Sequence, residues 1–352
     1  MIRVLIAEDS PSVREFLTYI LSADPELKVV GTAENGEEAV EAVTRLKPDI
    51  VTMDIHMPKM DGFVATRRIM ETQPTPIVIV SGSASVGETA NSLHTLEVGA
   101  LAIVQRPYGL GHPKHAASAK ELVQTVKLMA GVKVVRLWPK RQIKTKPSPL
   151  PTINMDRTPV GIEVIAMGGS TGATTVFQTI LRGLSGDFQV PVLIVQHMAT
   201  GFMEGFSEWL TDTTAFPTSV ALNGEDLLPG HAYVAPEQFH MGIDTNRRIV
   251  YDKGEPENSA IPSVSHLFRS VALVFGIHAV GVLLSGMGKD GAKELKTMRD
   301  QGALTIVQDK ESSVVFGMPG VAVELNAAEL VLPPEKIAPV LISVVRRAAG
   351  SR

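Results

Sequence analysis

Short apolar strands alternate with helical periods along this chain, and that alternation limits the folds it can adopt. Residues 4–7 are a continuous apolar run, and the apolar residues after them recur at helical spacing. The step repeats before residue 130, at runs that begin near Val29, Ile50, Ile77 and Ala100. Strands that are apolar throughout indicate a parallel sheet with helices on both faces. The first part is therefore predicted to be a doubly wound α/β domain, with its site beyond the carboxyl ends of the strands.

Between residues 132 and 159 this periodicity stops. Prolines recur there, and basic residues appear with no acidic residue before Asp156, which is typical of a semi-extended linker. We interpret the basic run as a solvated hinge rather than a docking site for an acidic surface. From Gly161 the α/β alternation resumes. We predict a flavodoxin-like domain at residues 1–130, a linker at 131–158 and a Rossmann-like domain at 159–352.

Composition excludes several classes of function. The 33 basic and 37 acidic residues leave a net charge of −4, too weak and of the wrong sign for binding to nucleic acid or to an anionic membrane. With 0 cysteines, the chain cannot form disulfides, thiolate nucleophiles or cysteine-ligated metal sites. It has no signal-like N-terminus, and no apolar run approaches the roughly 20 residues that span a bilayer. We expect a cytoplasmic protein without membrane insertion.

Polar side chains follow consecutive strands of the first predicted sheet. Glu8 and Asp9 come directly after the first strand and Asp54 after the third, while Ser81 ends the fourth strand and Arg106 follows the fifth. Converging carboxylates repel one another, and Mg²⁺ relieves this because it binds one or two carboxylates and keeps its waters. One such residue could simply cap a helix, but five at matching strand ends indicate a function. The set suits an aspartate that accepts a phosphoryl group.

Three segments of the first domain resemble the response-regulator receiver family: residues 7–14 (AEDSPSVR), residues 54–62 (DIHMPKMDG) and the pair at 81–82. The resemblance implies that Asp54 is phosphorylated and that Glu8, Asp9 and Asp54 form the Mg²⁺ pocket. It also implies that the Ser81 hydroxyl follows the phosphoryl group. Two positions depart from the family.

Arg106 stands where the family usually has lysine, and Ile103 where it usually has an aromatic switch residue. Arginine keeps the charge but presents a planar fork instead of a point ammonium. The resemblance therefore supports phosphorylation more strongly than it supports the family's usual kinetics and switching.

A glycine-rich segment at residues 167–173 (MGGSTGA) separates a predicted strand from a predicted helix at 174–184. Glycines there permit a sharp turn and expose N–H groups that bind an anion at the helix end. A dinucleotide-binding turn has the same appearance. The next strand, however, ends at Gln196 and His197 instead of at the acidic residue that would hold a ribose. Ser170 beside a neutral imidazole is the arrangement of an activated nucleophile.

Asp290 is the candidate that orients His197, because it lies after another strand in a second glycine-rich segment at 284–291. Each of the three residues could be a cap or an ordinary polar strand end. Together, at three strand ends of one sheet, Ser170, His197 and Asp290 indicate a catalytic triad. Their order differs from that of α/β-hydrolases and no G-x-S-x-G elbow surrounds the serine, so a lipase-like enzyme is disfavoured.

Six segments in the second domain resemble, in order, those of the chemotaxis protein-glutamate methylesterases. They are GGSTGA at 168–173, VQHM at 195–198, AYVAPEQFH at 232–240, PSVSHLFRS at 262–270, SGMGKDG at 285–291 and SSVVFGMP at 312–319. With the receiver-like domain, the resemblance covers nearly the whole chain. It implies an enzyme that removes methyl esters from glutamates of methyl-accepting chemoreceptors, releases methanol and possesses a related glutamine deamidase chemistry.

The resemblance also implies partners and regulation. A chemotaxis histidine kinase would be the phosphodonor, and an unphosphorylated receiver would cover Ser170. From their places in the two glycine-rich loops, the backbone N–H groups of Thr171 and Met287 are candidates for the oxyanion hole. Two other outputs remain as alternatives: a nucleotide-binding domain, against which His197 argues, and a non-catalytic binding domain, against which the triad argues.

Overall fold

The computed structural model describes residues 1–82, 93–132, 134, 161–184, 186–198 and 200–350. The chain divides into two compact units, Met1–Thr145 and Lys146–Arg352. Most of the predicted linker at 131–158, and the start of the helix predicted near residue 86, lie outside the described residues. The proposed domain limits therefore stay predictions.

A five-stranded parallel sheet with the order β2-β1-β3-β4-β5 forms the first unit. This is the strand order of flavodoxin-like folds, as expected for the first domain. The elements are β1 (Ile2–Ala7), α1 (Pro11–Ser22), β2 (Leu27–Ala33), α2 (Gly36–Leu46), β3 (Ile50–Met53), α3 (Gly62–Thr72), β4 (Ile77–Ser81), α4 (93–97), β5 (Ala102–Gln105) and α5 (His115–Ala130).

The local sequence explains how the first site is placed. Strands β3 and β4 are buried along their whole length, as their uninterrupted apolar runs predict. Asp61 caps α3 by accepting a hydrogen bond from the Val64 N–H at 2.7 Å. At Gly62, an added Cβ would come within 2.0 Å of the Asp54 carbonyl oxygen. Only glycine therefore lets α3 begin so close behind Asp54.

A seven-stranded parallel sheet with the order β14-β13-β12-β6-β7-β9-β8 forms the second unit, beside an antiparallel pair, β10 and β11. This antiparallel hairpin was not predicted from the sequence. The elements are β6 (Val164–Gly169), α6 (Thr174–Leu184), β7 (Val192–Gln196), α7 (Met203–Thr214), β8 (Thr218–Val220), β9 (Ala232–Val234), β10 (His240–Ile243), β11 (Ile249–Asp252), α8 (Val264–Phe275), a 3₁₀ turn (Gly276–His278), β12 (Ala279–Leu283), α9 (Ala292–Asp300), β13 (Leu304–Gln308), α10 (Met318–Glu324), β14 (Leu330–Leu332) and α11 (Pro334–Gly350).

Helices cover both faces of the second sheet. On one face, α8, α9 and α10 pack on a core that includes Leu267, Phe268, Leu295 and Met298. Helix α6 packs against both α7 and α11. Both domains are therefore doubly wound α/β folds, as predicted. Among the described helices, none combines the length and the apolarity required to cross a bilayer.

The end of β6 differs from the predicted turn. The strand continues through Gly169 instead of ending at Met167, so Gly168 and Gly169 are strand residues. A Cβ added at Gly168 would lie 2.2 Å from Val264 Cγ1, and one at Gly169 would lie 2.4 Å from Ala173 Cβ. These two glycines allow α8 and α6 to approach the strand end closely.

Candidate active site and acidic pocket

Ser170, His197 and Asp290 follow three adjacent strands, β6, β7 and β12. Gly169 pairs with Gln196 in the parallel register, so Ser170 and His197 are the next residues on neighbouring strands. The His197 N–H also donates to the Gly169 carbonyl at 3.1 Å. The strand order reverses at β6, which is where α/β sheets open a crevice for a ligand. The fold therefore brings the predicted triad residues to one edge.

His197 and Asp290 form a direct contact. His197 Nε2 lies 3.0 Å from Asp290 Oδ2, whereas His197 Nδ1 makes no hydrogen bond within the described part of the chain. The Ser170 hydroxyl likewise makes no hydrogen bond to any described residue. Nδ1 is thus the nitrogen left for the serine. Hydrogen bonds between nucleophile and base are often absent without substrate and form in its presence.

The Asp290 carboxylate lies at the amino end of α8. Oδ1 accepts from Ser263 Oγ at 2.9 Å and from the Ser265 N–H at 3.1 Å, and Oδ2 accepts from the Val264 N–H at 2.7 Å as well as from His197. These backbone donors belong to the first turn of a helix, where the helix dipole favours a negative charge. Asp290 is 2% exposed, yet its carboxylate is hydrogen-bonded on both oxygens.

Burial of Asp290 opposes ionisation, but the other contributions are larger together. The hydrogen bond and charge of His197, with the donors at Ser265 and Val264, hold the pKa of Asp290 well below its ordinary value. A carboxylate that accepts so many hydrogen bonds is a poor proton acceptor. It can orient His197 and stabilise an imidazolium, but it does not take the proton.

Three loops that carry the triad are joined by side-chain and backbone hydrogen bonds. The Ser170 N–H donates to the Ser285 carbonyl at 2.9 Å, and Gln196 Nε2 donates to the carbonyls of Ser170 at 3.0 Å and His197 at 2.9 Å. Ser285 Oγ donates to the Thr171 carbonyl at 2.7 Å. The serine loop is therefore held from two neighbouring strands, which limits movement of Ser170 relative to His197.

Backbone amides for an oxyanion hole are present on two of these loops. Within the described residues, neither the Thr171 nor the Met287 N–H donates a hydrogen bond, so both can serve a ligand. A Cβ added at Gly286 would lie 2.8 Å from Ser170 Cβ, so the loop that carries Met287 runs against the serine. Free N–H groups beside a nucleophile are the geometry that stabilises a tetrahedral intermediate.

The acidic pocket of the first domain contains Glu8, Asp9 and Asp54. One carboxylate oxygen from each lies within 4.8 Å of the others, and Glu8 and Asp54 are buried. Arg106 Nη2 lies 3.1 Å from Glu8 Oε2 and 3.6 Å from Asp54 Oδ1. The guanidinium thus bridges the two buried carboxylates at the predicted edge of the sheet.

Burial, followed by the charge of Asp54, raises the pKa of Glu8 to about 7 despite the opposing charge of Arg106. Burial also raises the pKa of Asp54. Three clustered oxygen ligands with this excess of negative charge fit a small, hard divalent cation such as Mg²⁺. The receiver domain and this cluster together indicate Mg²⁺ binding.

Ser81 and Arg106 lie at the end of adjacent strands. Ser81 is buried, and its carbonyl accepts a hydrogen bond from the Arg106 N–H at 2.7 Å. Within the described residues, no hydrogen bond joins the Ser81 hydroxyl to Asp54. The Arg106 guanidinium lies over Gly82, where an added Cβ would be 2.9 Å from Cζ. Ile103 pairs with Ile79 in the register of β4 and β5.

Several residues around the triad were not identified by sequence analysis. They are the α8 donors Ser263, Val264 and Ser265, the amide of Gln196, and Asn258, which also contacts Asp290. Pro262 and Ser263 before an apolar run are a recognisable helix-start signal. That signal predicts α8, but it contains no information about the strand end that the helix faces.

Comparisons with known proteins identify both domains. The CheB methylesterase family model matches residues 165–341, and the response regulator receiver domain matches residues 4–117. The protein-glutamate methylesterase/protein-glutamine glutaminase 4 of Geobacter metallireducens is 54% identical over 98% of this chain and 99% of its own. Protein-glutamate methylesterase/protein-glutamine glutaminase 1 of Syntrophus aciditrophicus is 52% identical over 98% of both chains.

A solved structure agrees with the second domain. The crystal structure of the Thermotoga maritima CheB methylesterase catalytic domain has 34% sequence identity and a TM-score of 0.51, and the match covers 53% of this chain and 100% of that one. The nucleotide-binding and non-catalytic alternatives for the output domain are therefore not favoured. The chain belongs to the chemotaxis CheB methylesterase family, as a response regulator whose receiver domain precedes a methylesterase domain.

Proposed function

We propose that Ser170, His197 and Asp290 form the catalytic triad, and that its substrate is the γ-methyl ester of glutamate side chains on methyl-accepting chemoreceptors. The contact between His197 Nε2 and Asp290 Oδ2, at 3.0 Å beside the Ser170 loop, carries the proposal. His197 Nδ1 takes the hydroxyl proton while Ser170 Oγ bonds to the ester carbonyl carbon. The N–H groups of Thr171 and Met287 bind the resulting oxyanion.

Breakdown of this intermediate completes two half-reactions. The bond from carbon to the methoxy oxygen breaks, His197 returns its proton to that oxygen, and methanol leaves an acyl-enzyme on Ser170. Water then gives a proton to His197 and bonds to the same carbon. Cleavage of the bond to Ser170 Oγ, with return of the proton, releases glutamate.

Glutamine deamidation follows the same path with a different leaving group. His197 protonates the departing nitrogen, so ammonia replaces methanol and hydrolysis again yields glutamate. The double name of the relatives, methylesterase and glutaminase, supports this second activity. We propose it for receptor glutamines.

In the receiver domain, Asp54 is the proposed acceptor of a phosphoryl group from a chemotaxis histidine kinase. Glu8, Asp9 and Asp54 would hold Mg²⁺, which when bound neutralises charge on the phosphoryl oxygens. Ser81 is proposed to contact the transferred group, and Arg106 to balance its charge as it now balances Glu8 and Asp54. We propose that the protein encounters both the kinase and the receptor substrate in the cytoplasm.

The proposal is tested by methanol release from methylated chemoreceptor membranes. Wild type and Ser170→Ala are compared, each with and without a small-molecule phosphodonor and Mg²⁺. Serine-dependent release that increases with phosphodonor supports both sites. Serine-dependent release that ignores the phosphodonor contradicts the receiver proposal only, and absence of release from a competent substrate contradicts the esterase proposal.

A further inference from the structure

Asn258 contacts the triad carboxylate from outside the α8 turn. Its side-chain Nδ2 lies 3.1 Å from Asp290 Oδ1 and 3.1 Å from Ser265 Oγ. Ser263, Val264 and Ser265, the α8 donors to Asp290, are buried to at least 99%. Asn258, by contrast, belongs to an exposed stretch of the loop between β11 and α8. It can therefore be changed without opening the hydrophobic core.

The orientation of the Asn258 amide is determined by its partners. Ser265 Oγ donates its proton to Glu294 Oε2 at 2.7 Å and accepts from the Gly291 N–H at 2.9 Å. It can therefore only accept from Asn258. Asp290 Oδ1 is a carboxylate oxygen and also accepts. Both contacts require the NH₂ end of the amide, so the two protons of Asn258 Nδ2 have separate acceptors.

The loop holds Asn258 in place through its neighbours. Both terminal nitrogens of the Arg269 guanidinium donate to the Glu257 carboxylate, and His266 Nδ1 lies 3.4 Å from Glu257 Oε1. His240 Nε2 bonds to the Glu255 carbonyl at 3.0 Å. Asn258 itself has a φ of 50°, in the left-handed region that asparagine tolerates better than most residues. The amide thus follows a stretch of loop that is fixed at Glu255 and Glu257.

These contacts define what the amide does for Asp290. Oδ1 accepts from Asn258, from Ser263 Oγ and from the Ser265 N–H, which fills its lone-pair directions. Oδ2 is left for the Val264 N–H and His197. Loss of one donor would leave Oδ1 with one hydrogen bond fewer to stabilise its negative charge, and the carboxylate could rotate more freely. His197 would then be oriented less well.

We infer that Asn258 is a positioning residue of the proposed triad: its amide NH₂, bridging Asp290 Oδ1 and Ser265 Oγ, holds the carboxylate that orients His197. It acts through Asp290 and does not touch the reacting atoms. The inference rests on the proposed triad. A purely conformational role, in which asparagine merely suits the left-handed turn, makes different predictions for two substitutions.

Asn258→Gly keeps the left-handed backbone accessible and removes the amide. We expect kcat to fall on the order of tenfold with KM nearly unchanged, because a hydrogen bond to a charged group is lost. Asn258→Asp keeps the size and the tolerance of positive φ but replaces a donor with a carboxylate. The kcat of this variant should fall on the order of 100-fold near neutral pH. The difference in kcat from wild type should become smaller as pH falls and the new carboxyl becomes a donor.

The control is Asn326→Gly, which changes another asparagine in the left-handed region, with φ of 54°, at the end of α10. Thermal unfolding of all variants is compared so that turnover is measured where every variant is folded; a modest fall of the midpoint is expected, because a hydrogen bond to a buried charge is lost. A readout independent of turnover is the downfield ¹H resonance of the His197 Nε2–H in full-length protein labelled with ¹⁵N-histidine, identified by its loss in His197→Ala. This resonance should move upfield in both Asn258 variants and should stay unchanged in Asn326→Gly.

Unchanged kcat and an unchanged His197 resonance in Asn258→Gly and Asn258→Asp would overturn the positioning role. So would losses matched by Asn326→Gly, or losses that disappear when turnover is measured well below the melting midpoint of each variant. If the wild type shows no Ser170-dependent turnover while the His197 resonance still moves in both variants, the proposed function fails and the positioning of Asp290 stands. If turnover depends on Ser170 but not on Asn258, the proposed function stands and the positioning role of Asn258 fails.

Discussion

His197 presents Nε2 to Asp290 at 3.0 Å, which leaves Nδ1 as the nitrogen available to Ser170. In the familiar serine protease triad the two nitrogens have the opposite assignments. Here the imidazole comes from the strand beside the serine, and the carboxylate from the strand on its far side. With Nε2 donating to Asp290, the neutral ring carries its lone pair on Nδ1, as a general base requires.

Substitutions in the triad should be severe and non-additive. Ser170→Ala and His197→Ala are each expected to reduce kcat on the order of a million-fold, and the double variant no further, because the members act as a unit. Asp290→Asn should cost about ten-thousand-fold, since Ser170 and His197 remain. Methanol release from methylated receptors measures this. Multiplicative losses in the double variant would show that the residues act independently.

Asp290 should also contribute stability that depends on pH. Its pKa is lowered in the folded protein, so the contribution is present above its ordinary value of 3.8 and is lost as pH falls through the folded value. Asp290→Asn should reduce the free energy of unfolding at pH 6 by about 2–4 kcal/mol, because buried donors lose a charged acceptor. Urea unfolding at several pH values checks this. A difference from wild type that stays constant below pH 3.8 would contradict it.

Asp54→Asn should separate regulation from catalysis. The variant keeps Ser170, His197 and Asp290, so basal methanol release should match that of wild type without phosphodonor. Stimulation by phosphodonor and Mg²⁺, expected at roughly 5–150-fold for a usual coupling energy, should disappear. Ser81→Ala serves as the graded comparison, since the phosphate acceptor remains. Continued stimulation of Asp54→Asn would mean that another residue accepts the phosphoryl group.

Arg106 offers a test of the departure from the receiver family. Arg106→Lys keeps a positive charge near Glu8 and Asp54, so it should be phosphorylated to a similar extent as wild type, with altered activation because the planar fork is lost. Arg106→Ala should be activated least, since no cation then offsets the phosphoryl charge. Phosphorylation by a small-molecule donor and methanol release are measured in parallel. Equal activation of all three proteins would exclude a role for this side chain.

Gln196 should matter more for geometry than for charge. It is 2% exposed, and within the described residues its side-chain Nε2 donates to the carbonyls of Ser170 and His197. Gln196→Glu would place a carboxylate against those two acceptors, so we expect lower stability and a loss of kcat on the order of 100-fold. Gln196→Met tests the shape without the repulsion and should be less harmful. Similar damage by both would mean that loss of the two amide hydrogen bonds, and not the added charge, accounts for the effect.

The edge at which each predicted site residue lies could be derived from the sequence. Asp54 directly follows an apolar run, Ser170 and His197 come just after the ends of theirs, and parallel strands must end at one edge of their sheet. Helix limits at Thr174–Leu184 and Val264–Phe275 were likewise predictable from local periodicity. The limits of β6 were not, because Gly168 and Gly169 have a turn composition but a packing role.

The sequence by itself thus determined the fold class, the parallel sheets, and which residues stand at the strand ends. Only the tertiary structure decided how those residues are joined. Asp290 receives donors from Asn258 and Ser263, 32 and 27 residues earlier, and uses His197 Nε2 rather than Nδ1. Strand periodicity depends on neighbours a few residues apart, whereas these contacts depend on how α8 packs against the strand ends, which no local pattern records.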